Sequence, residues 1–251
     1  FGGLAGFPKP SESDTDAFVA GHASTAVSTA LGMARARTLL KQDYHVIALM
    51  GDGAMTGGVA YEGMNDAGES NEPLIVILND NGMSITPNVG GIAKHLGLLR
   101  TRPGYFRLKK AYRTVTCKLP GGKAVYRMTH RLKERWKRML LGCTLFEEMG
   151  FEYYGPVDGH DLRRLEYMLR LVKDCKRPVL LHVITQKGRG YRPAELNPDV
   201  FHGIGSFDPA DGHAQLTSHL PTFSDTFGST LCALAEQEPR ICAITAAMVR
   251  G

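Results

Sequence analysis

Apolar residues recur at helical spacing between Ser24 and Leu40, with Ala26, Val27, Ala30, Leu31 and Ala34 on one face. The pattern predicts a helix there, with Ser24 or Thr25 as its N-cap. The period then changes. His45 to Met50 is a short apolar run closed by Gly51-Asp52-Gly53, which predicts a parallel strand buried on both faces. A helix over about 59–67, closed by Gly68, and a second buried strand over Leu74 to Leu78 follow, the strand ending in Asn79-Asp80-Asn81. Asp161 is placed to cap a helix with Leu162, Leu165, Met168, Leu169 and Val172 inward. Val179 to Thr185 reads as a third strand, and Gln186 to Tyr191 as a glycine-bearing loop at its end.

Pro193 to Pro221 reads as a linker, rich in Pro, Gly, His and Asp. After it, Ser224 is expected to cap a helix carrying Phe227, Leu231, Leu234 and Ala235, and Ile241 to Thr245 to form a strand. Alternating strands and helices predict an α/β fold: an open, mostly parallel sheet flanked by helices. Residues 1–221 are expected to form one domain, and 222–251 the truncated start of a second α/β domain. Phe1 in place of an initiator Met, and a last strand running into a loop, suggest a piece of something longer.

Composition narrows the class. Of 251 residues, 43% are hydrophobic and 22% charged, which excludes wholesale disorder. No apolar run reaches the ~18–20 residues of a membrane span. The start lacks the basic and then apolar stretches of a signal peptide. The five cysteines are scattered and show no CxxC spacing, which argues for a reducing cytoplasm over a disulfide framework or zinc site. Residues 100–138 hold 14 Lys or Arg and one acid, Glu134, a local charge of +13; the other 16 basic and 24 acidic residues leave −8 elsewhere. Met128, Leu132, Trp136 and Met139 give this insert, 100–142, one apolar helical face. Its charge reads as a solvated basic face; a nucleic-acid-binding module, with Tyr105, Phe106, Tyr112, Tyr126 and Trp136 as stacking surfaces, is the alternative.

Polar motifs fall at strand ends, where open parallel sheets bind ligands. Asp52 and Asn81, at the tips of neighbouring predicted strands, supply two hard oxygen ligands. Magnesium prefers such ligands and shares them with phosphates. The glycines around Asp52 allow close backbone approach, and a helix opening at Ala54 would favour an anion. Together they describe a magnesium-diphosphate site. An Asp-Gly turn without ligand is the plainer reading of GDG alone. No G-x-x-x-x-G-K-[ST] occurs, and no G-x-G-x-x-G follows a strand, so neither a P-loop enzyme nor a dinucleotide enzyme is supported.

GDG followed by NDN resembles the thiamine-diphosphate motif. The longer strings GDGAMTGG (51–58), YEGMNDAG (61–68), ILNDNGMSI (77–85), FEEMGFEYYGPVDGHD (146–161), KGRGY (187–191) and FHGIGSFDP (201–209) resemble the 1-deoxy-D-xylulose-5-phosphate synthases, a transketolase-like family. The resemblance implies a thiamine-diphosphate-dependent, magnesium-dependent condensation of pyruvate with D-glyceraldehyde 3-phosphate, with release of carbon dioxide. The product feeds isoprenoid, thiamine and pyridoxal synthesis. It implies that Asp52, Asn81 and the backbone carbonyl of Met83 bind magnesium, that Gly21, His22, Ala23, Gly53, Ala54, Asn81 and Tyr191 contact the cofactor, and that His202 handles protons or orients substrate. It further implies a cytoplasmic homodimer, with neither nucleic acid nor membrane as partner, and that the insert over 100–142 is mobile. The acidic group that activates the cofactor is expected beyond Gly251 and a further histidine before Phe1, so this piece alone is expected to turn over weakly or not at all. Another transketolase-type enzyme is the rival. Lys187 is read as a phosphate contact or a solvated loop lysine, His160 as fixing a turn and helix start, and Met33, Met50 and Met64 as core. Gly82 departs from the family in standing where a larger side chain is common.

Overall fold

A computed structural model describes residues 5–83, 88, 90–100, 145–213 and 220–245. The basic insert, with the helix expected around Met128 to Met139, lies outside the described residues. The chain divides into two compact units, Phe1–Gly82 with Val89–Thr185, and Met83–Asn88 with Gln186–Gly251.

The first unit is built on a four-stranded parallel sheet: β1 (Ile47–Gly51), β2 (Ile75–Asp80), β3 (Glu152–Asp158) and β4 (Val179–Ile184), in the spatial order β1-β2-β4-β3. Helix α1 (Ala26–Leu39) and helix α2 (Gly58–Ser70) cover one face, where Val27, Leu31, Ala34, Met64 and Ala67 pack on Met50, Val76, Leu78 and Leu180. Helix α3 (Gly91–Arg100) and the single turn α4 (Leu145–Glu148) add Leu96 and Phe146 to that core. Helix α5 (Leu162–Val172) covers part of the other face, packing Leu165, Met168, Leu169 and Val172 near β3 and β4. Its cap is the expected one, Asp161, which accepts from the Arg164 N–H at 3.1 Å. Leu162, expected inward, is exposed because it opens the helix at its solvent end. The Met side chains take the structural role expected of them: Met50 and Met64 are buried and Met33 packs on the core.

Three expectations about strands change. β1 is an edge strand and so is not buried on both faces: Ala48 and Met50 point into the core, while Ile47 and Leu49 are 51% and 66% exposed. β3 escapes the apolar-run criterion because Gly155-Pro156 interrupts it; an edge strand tolerates proline, and the register shifts there between Tyr154 and Val157. Ile241 to Thr245, expected to be a strand, pairs with none of the described residues and is irregular.

Two helix ends also differ. α2 runs through Gly68 to Ser70 and ends on Asn71 in the left-handed region at φ 54°. Gly68 is glycine for a packing reason: a Cβ there would sit inside the Met149 carbonyl, so no other residue lets the α4 turn close on α2. α1 carries no side-chain cap. The Ser24 hydroxyl donates instead to the Ala54 carbonyl at 2.6 Å, and the Thr25 hydroxyl to the His22 carbonyl at 3.0 Å. At the other end of the sheet, the buried Arg37 guanidinium donates to the carbonyls of Tyr44 and Pro73, fixing the chain ahead of β1 and β2.

In the second unit, the stretch read as a linker holds helix α6 (Arg192–Leu196). Helix α7 (Phe223–Gln237) follows, capped by Thr222 in a reciprocal box with Asp225; Ser224 lies inside the helix.

Packing at Gly68 is testable. Gly68→Ala should lower the urea midpoint by the equivalent of about 2 kcal/mol or more, since overpacking costs ~1–3 kcal/mol. Gly32→Ala, on α1 where an added Cβ meets nothing within 4 Å, should raise it by up to about 1 kcal/mol.

Candidate functional site

Parallel pairing sets Gly51 opposite Asn79, and the ladder continues one step further, the Asp52 N–H donating to the Asn79 carbonyl at 3.2 Å. Asp52 and Asp80 therefore stand level at the carboxyl edge of the sheet. Both are buried, at 2% and 0% exposure. One backbone group joins them: the Gly82 N–H donates to Asp52 Oδ2 at 2.7 Å and to Asp80 Oδ1 at 3.2 Å. Gly82 reaches this position with φ 78°, in the left-handed region, which a residue with a side chain adopts less readily. Asn81 lies half-buried between the two held residues, in the turn whose next N–H binds Asp52.

Asp80 begins a polar row that crosses to the far edge of the sheet. Its Oδ2 lies 2.8 Å from His182 Nε2, and His182 Nδ1 lies 2.8 Å from the Tyr153 hydroxyl. His182 is fully buried within the otherwise apolar β4. Burial, followed by the Glu147 charge, raises the Tyr153 phenol, so it stays protonated. With Asp80 accepting from Nε2–H, a neutral His182 turns its Nδ1 lone pair to the Tyr153 hydroxyl. On the opposite face of β2, the Thr185 hydroxyl donates to Asn79 Oδ1 at 2.7 Å.

Gly21, His22 and Ala23 form the exposed loop before α1. The Ser24–Ala54 hydrogen bond ties that loop to the turn carrying Gly53 and Ala54. Ala54 does not open an α-helix as expected; it opens one 3-10 turn, Ala54–Thr56, and α2 starts later, at Gly58. The extended Gly57 separates the two, because its backbone lies against Ser24 with no space for a Cβ.

Met83, Tyr191 and His202 belong to the second unit. Tyr191 precedes α6 and packs with Phe201 and Phe207, ring centroids 5.8 and 5.9 Å away, while its hydroxyl donates to the Pro209 carbonyl at 3.0 Å. Lys187 Nζ lies 2.6 Å from His202 Nδ1. An ammonium only donates, so Nδ1 accepts and Nε2 carries the imidazole proton. Partial desolvation, then the Lys187 charge, lower the His202 pKa and favour this neutral form. His160, in the first unit, donates its N–H to Asp158 Oδ1 at 2.9 Å ahead of the α5 cap.

The donors at the β1 and β2 tips are carboxylate and amide oxygens, which fit a hard divalent cation. An added Cβ on Gly51 meets nothing within 4 Å, so the edge of the sheet is open there. Among the described residues, no cluster of three or more His, Cys, Asp or Glu is placed to hold a metal, so a cation here would depend on the amide and backbone oxygens as well.

The family model described as 1-deoxy-D-xylulose-5-phosphate synthase matches residues 1–185. The chain belongs to that family. Its relatives include the 1-deoxy-D-xylulose-5-phosphate synthase of Pelotomaculum thermopropionicum, 51% identical over 251 residues, with 100% of this chain and 39% of the relative covered. The synthase of Desulfitobacterium hafniense strain Y51 is 49% identical, covering 99% of this chain and 40% of its own length. The chain thus spans about two fifths of the length of these relatives. A transketolase structure from Campylobacter jejuni aligns over 70% of this chain and 21% of its own, at 21% identity and a TM-score of 0.43. The stretch matched by the family model includes Asp52, Asp80, Asn81, Tyr153 and His182; Tyr191 and His202 fall after it, within the alignment to the relatives.

Three residues of the polar row were not singled out as site residues by sequence reasoning, Asp80, His182 and Tyr153. The signal for His182 is a lone imidazole in a run of apolar strand residues, which demands a buried partner. None of the described helices is long and apolar enough to cross a membrane.

The His202 environment makes a pH prediction. Its imidazole should titrate below the ordinary value of roughly 6.5. The stability it contributes is full above that value and is lost as pH falls through the folded pKa. Lys187→Met should move the midpoint upward, read from the imidazole NMR shifts; a wild-type midpoint at or above the ordinary value would contradict the geometry.

Proposed function

We propose that this chain anchors the diphosphate end of thiamine diphosphate through Mg²⁺ in an enzyme that condenses pyruvate with D-glyceraldehyde 3-phosphate and releases carbon dioxide. Family membership supports the reading, and the observation that carries it is the shared Gly82 N–H, which locks a carboxylate and an amide-bearing turn together on adjacent strand tips. In this reading Asp52, Asn81 and the Met83 carbonyl hold the cation. Gly21, His22, Ala23, Gly53, Ala54, Asn81 and Tyr191 line the cofactor, with the Ser24–Ala54 bond keeping two of those loops together. Thiamine diphosphate, when bound, supplies the carbon acid that decarboxylative condensation requires.

The chain's own residues bind, orient and hold protons. Asp52 arrives already fixed by a backbone donor, so little reorganisation accompanies cation binding. His202, kept neutral with Nδ1 accepting from Lys187, offers its Nε2–H as the donor that orients a substrate oxygen. The product would enter isoprenoid, thiamine and pyridoxal synthesis, and the reading includes a cytoplasmic homodimer.

Titration calorimetry with thiamine diphosphate, with and without magnesium, tests this. Binding should require the metal. Asp52→Ala should weaken it by more than the roughly 10–100-fold that loss of an outer partner costs. Metal-independent binding, or an unchanged affinity in the variant, would overturn the site.

A further inference from the structure

The row Asp80–His182–Tyr153 ends on the same N–H that binds Asp52. The Tyr153 hydroxyl meets His182 Nδ1, His182 Nε2 meets Asp80 Oδ2, and Asp80 Oδ1 accepts from the Gly82 N–H. Asp80 and His182 are 0% exposed, so neither carboxylate nor imidazole rotates into water for an alternative partner. Tyr153 is held in turn, stacked on Phe146 with centroids 6.1 Å apart and 5° between planes. The row therefore crosses from β3 through β4 to β2 and fixes the carboxylate that sets the Asn81–Gly82 turn.

We propose that Asp80, His182 and Tyr153 are positioning residues: they hold the Asn81–Gly82 turn against Asp52 and so set the affinity for the divalent cation. The inference rests on the magnesium-diphosphate reading above and extends it to three residues behind the turn. A hydrogen-bonded partner behind a metal-binding turn sets ligand orientation, and its loss is felt as metal affinity. The atom that matters on His182 is Nε2, because that nitrogen faces Asp80. Nδ1 faces the Tyr153 hydroxyl instead.

Two isosteric substitutions separate these atoms. The terminal amide of His182→Gln reaches the Nε2 position, and that of His182→Asn reaches only the Nδ1 position. In the full chain, with thiamine diphosphate saturating, the magnesium concentration for half-saturation is read by calorimetry, alongside the thermal midpoint. His182→Asn should raise it by about tenfold or more, and His182→Gln should stay within about threefold of wild type. Tyr153→Phe, which keeps the ring stack, should raise it severalfold and serves as the test if either His182 variant fails to fold. Equal metal affinities for the two His182 variants, or an unchanged half-saturation in folded Tyr153→Phe, would overturn the proposal even if thermal midpoints fall. A wild-type chain that binds no thiamine diphosphate with magnesium would instead remove the cation reading, and this inference with it.

Discussion

One backbone N–H, that of Gly82, lies between two buried carboxylates, and the carboxyl edge of the sheet is organised around it. Burying two carboxylates side by side is costly. The shared donor offsets part of that cost, and His182 offsets more from the far side of Asp80. Register makes this possible: parallel pairing with Gly51 opposite Asn79 brings residues 52 and 80 level, and a slip of one residue would turn one carboxylate to the opposite face.

That edge is braced from several directions. Core packing of α1 and α2 on one face of the sheet fixes the strands. Ser24 then links the loop before α1 to the turn after β1, and Thr185 links the tip of β4 to that of β2. Gly68 brings the α4 turn, and with it Phe146, close enough to stack on Tyr153. A functional edge thus depends on contacts made well inside the layer beneath it. The second unit is held by other means: Tyr191, Phe201 and Phe207 form its aromatic cluster, and Lys187 meets His202 beside it.

Much of the fold was legible because apolar period and cap chemistry are local. α1, α2 and α5 with its Asp161 cap, the three apolar strands and the polar ends of β1 and β2 follow from patterns within a few residues. β3 was not, because Gly155-Pro156 breaks its apolar run and only its place at an edge makes that break tolerable. Gly68 looked like a helix terminator, since sequence carries no sign of the carbonyl packed against it. Ser24 looked like a cap for the same reason: its acceptor, Ala54, lies thirty residues away.

By itself the sequence determined an α/β chain with Asp52 and Asn81 at the ends of successive strands, and it carried the strings that mark its family. Only the tertiary structure decided that Asp80 shares a donor with Asp52, and that His182 and Tyr153 stand behind it. The physical reason is distance along the chain. Strand tips and caps are written in adjacent residues, whereas His182 meets Asp80 across 102 positions, and only the packing of parallel strands brings them within a hydrogen bond.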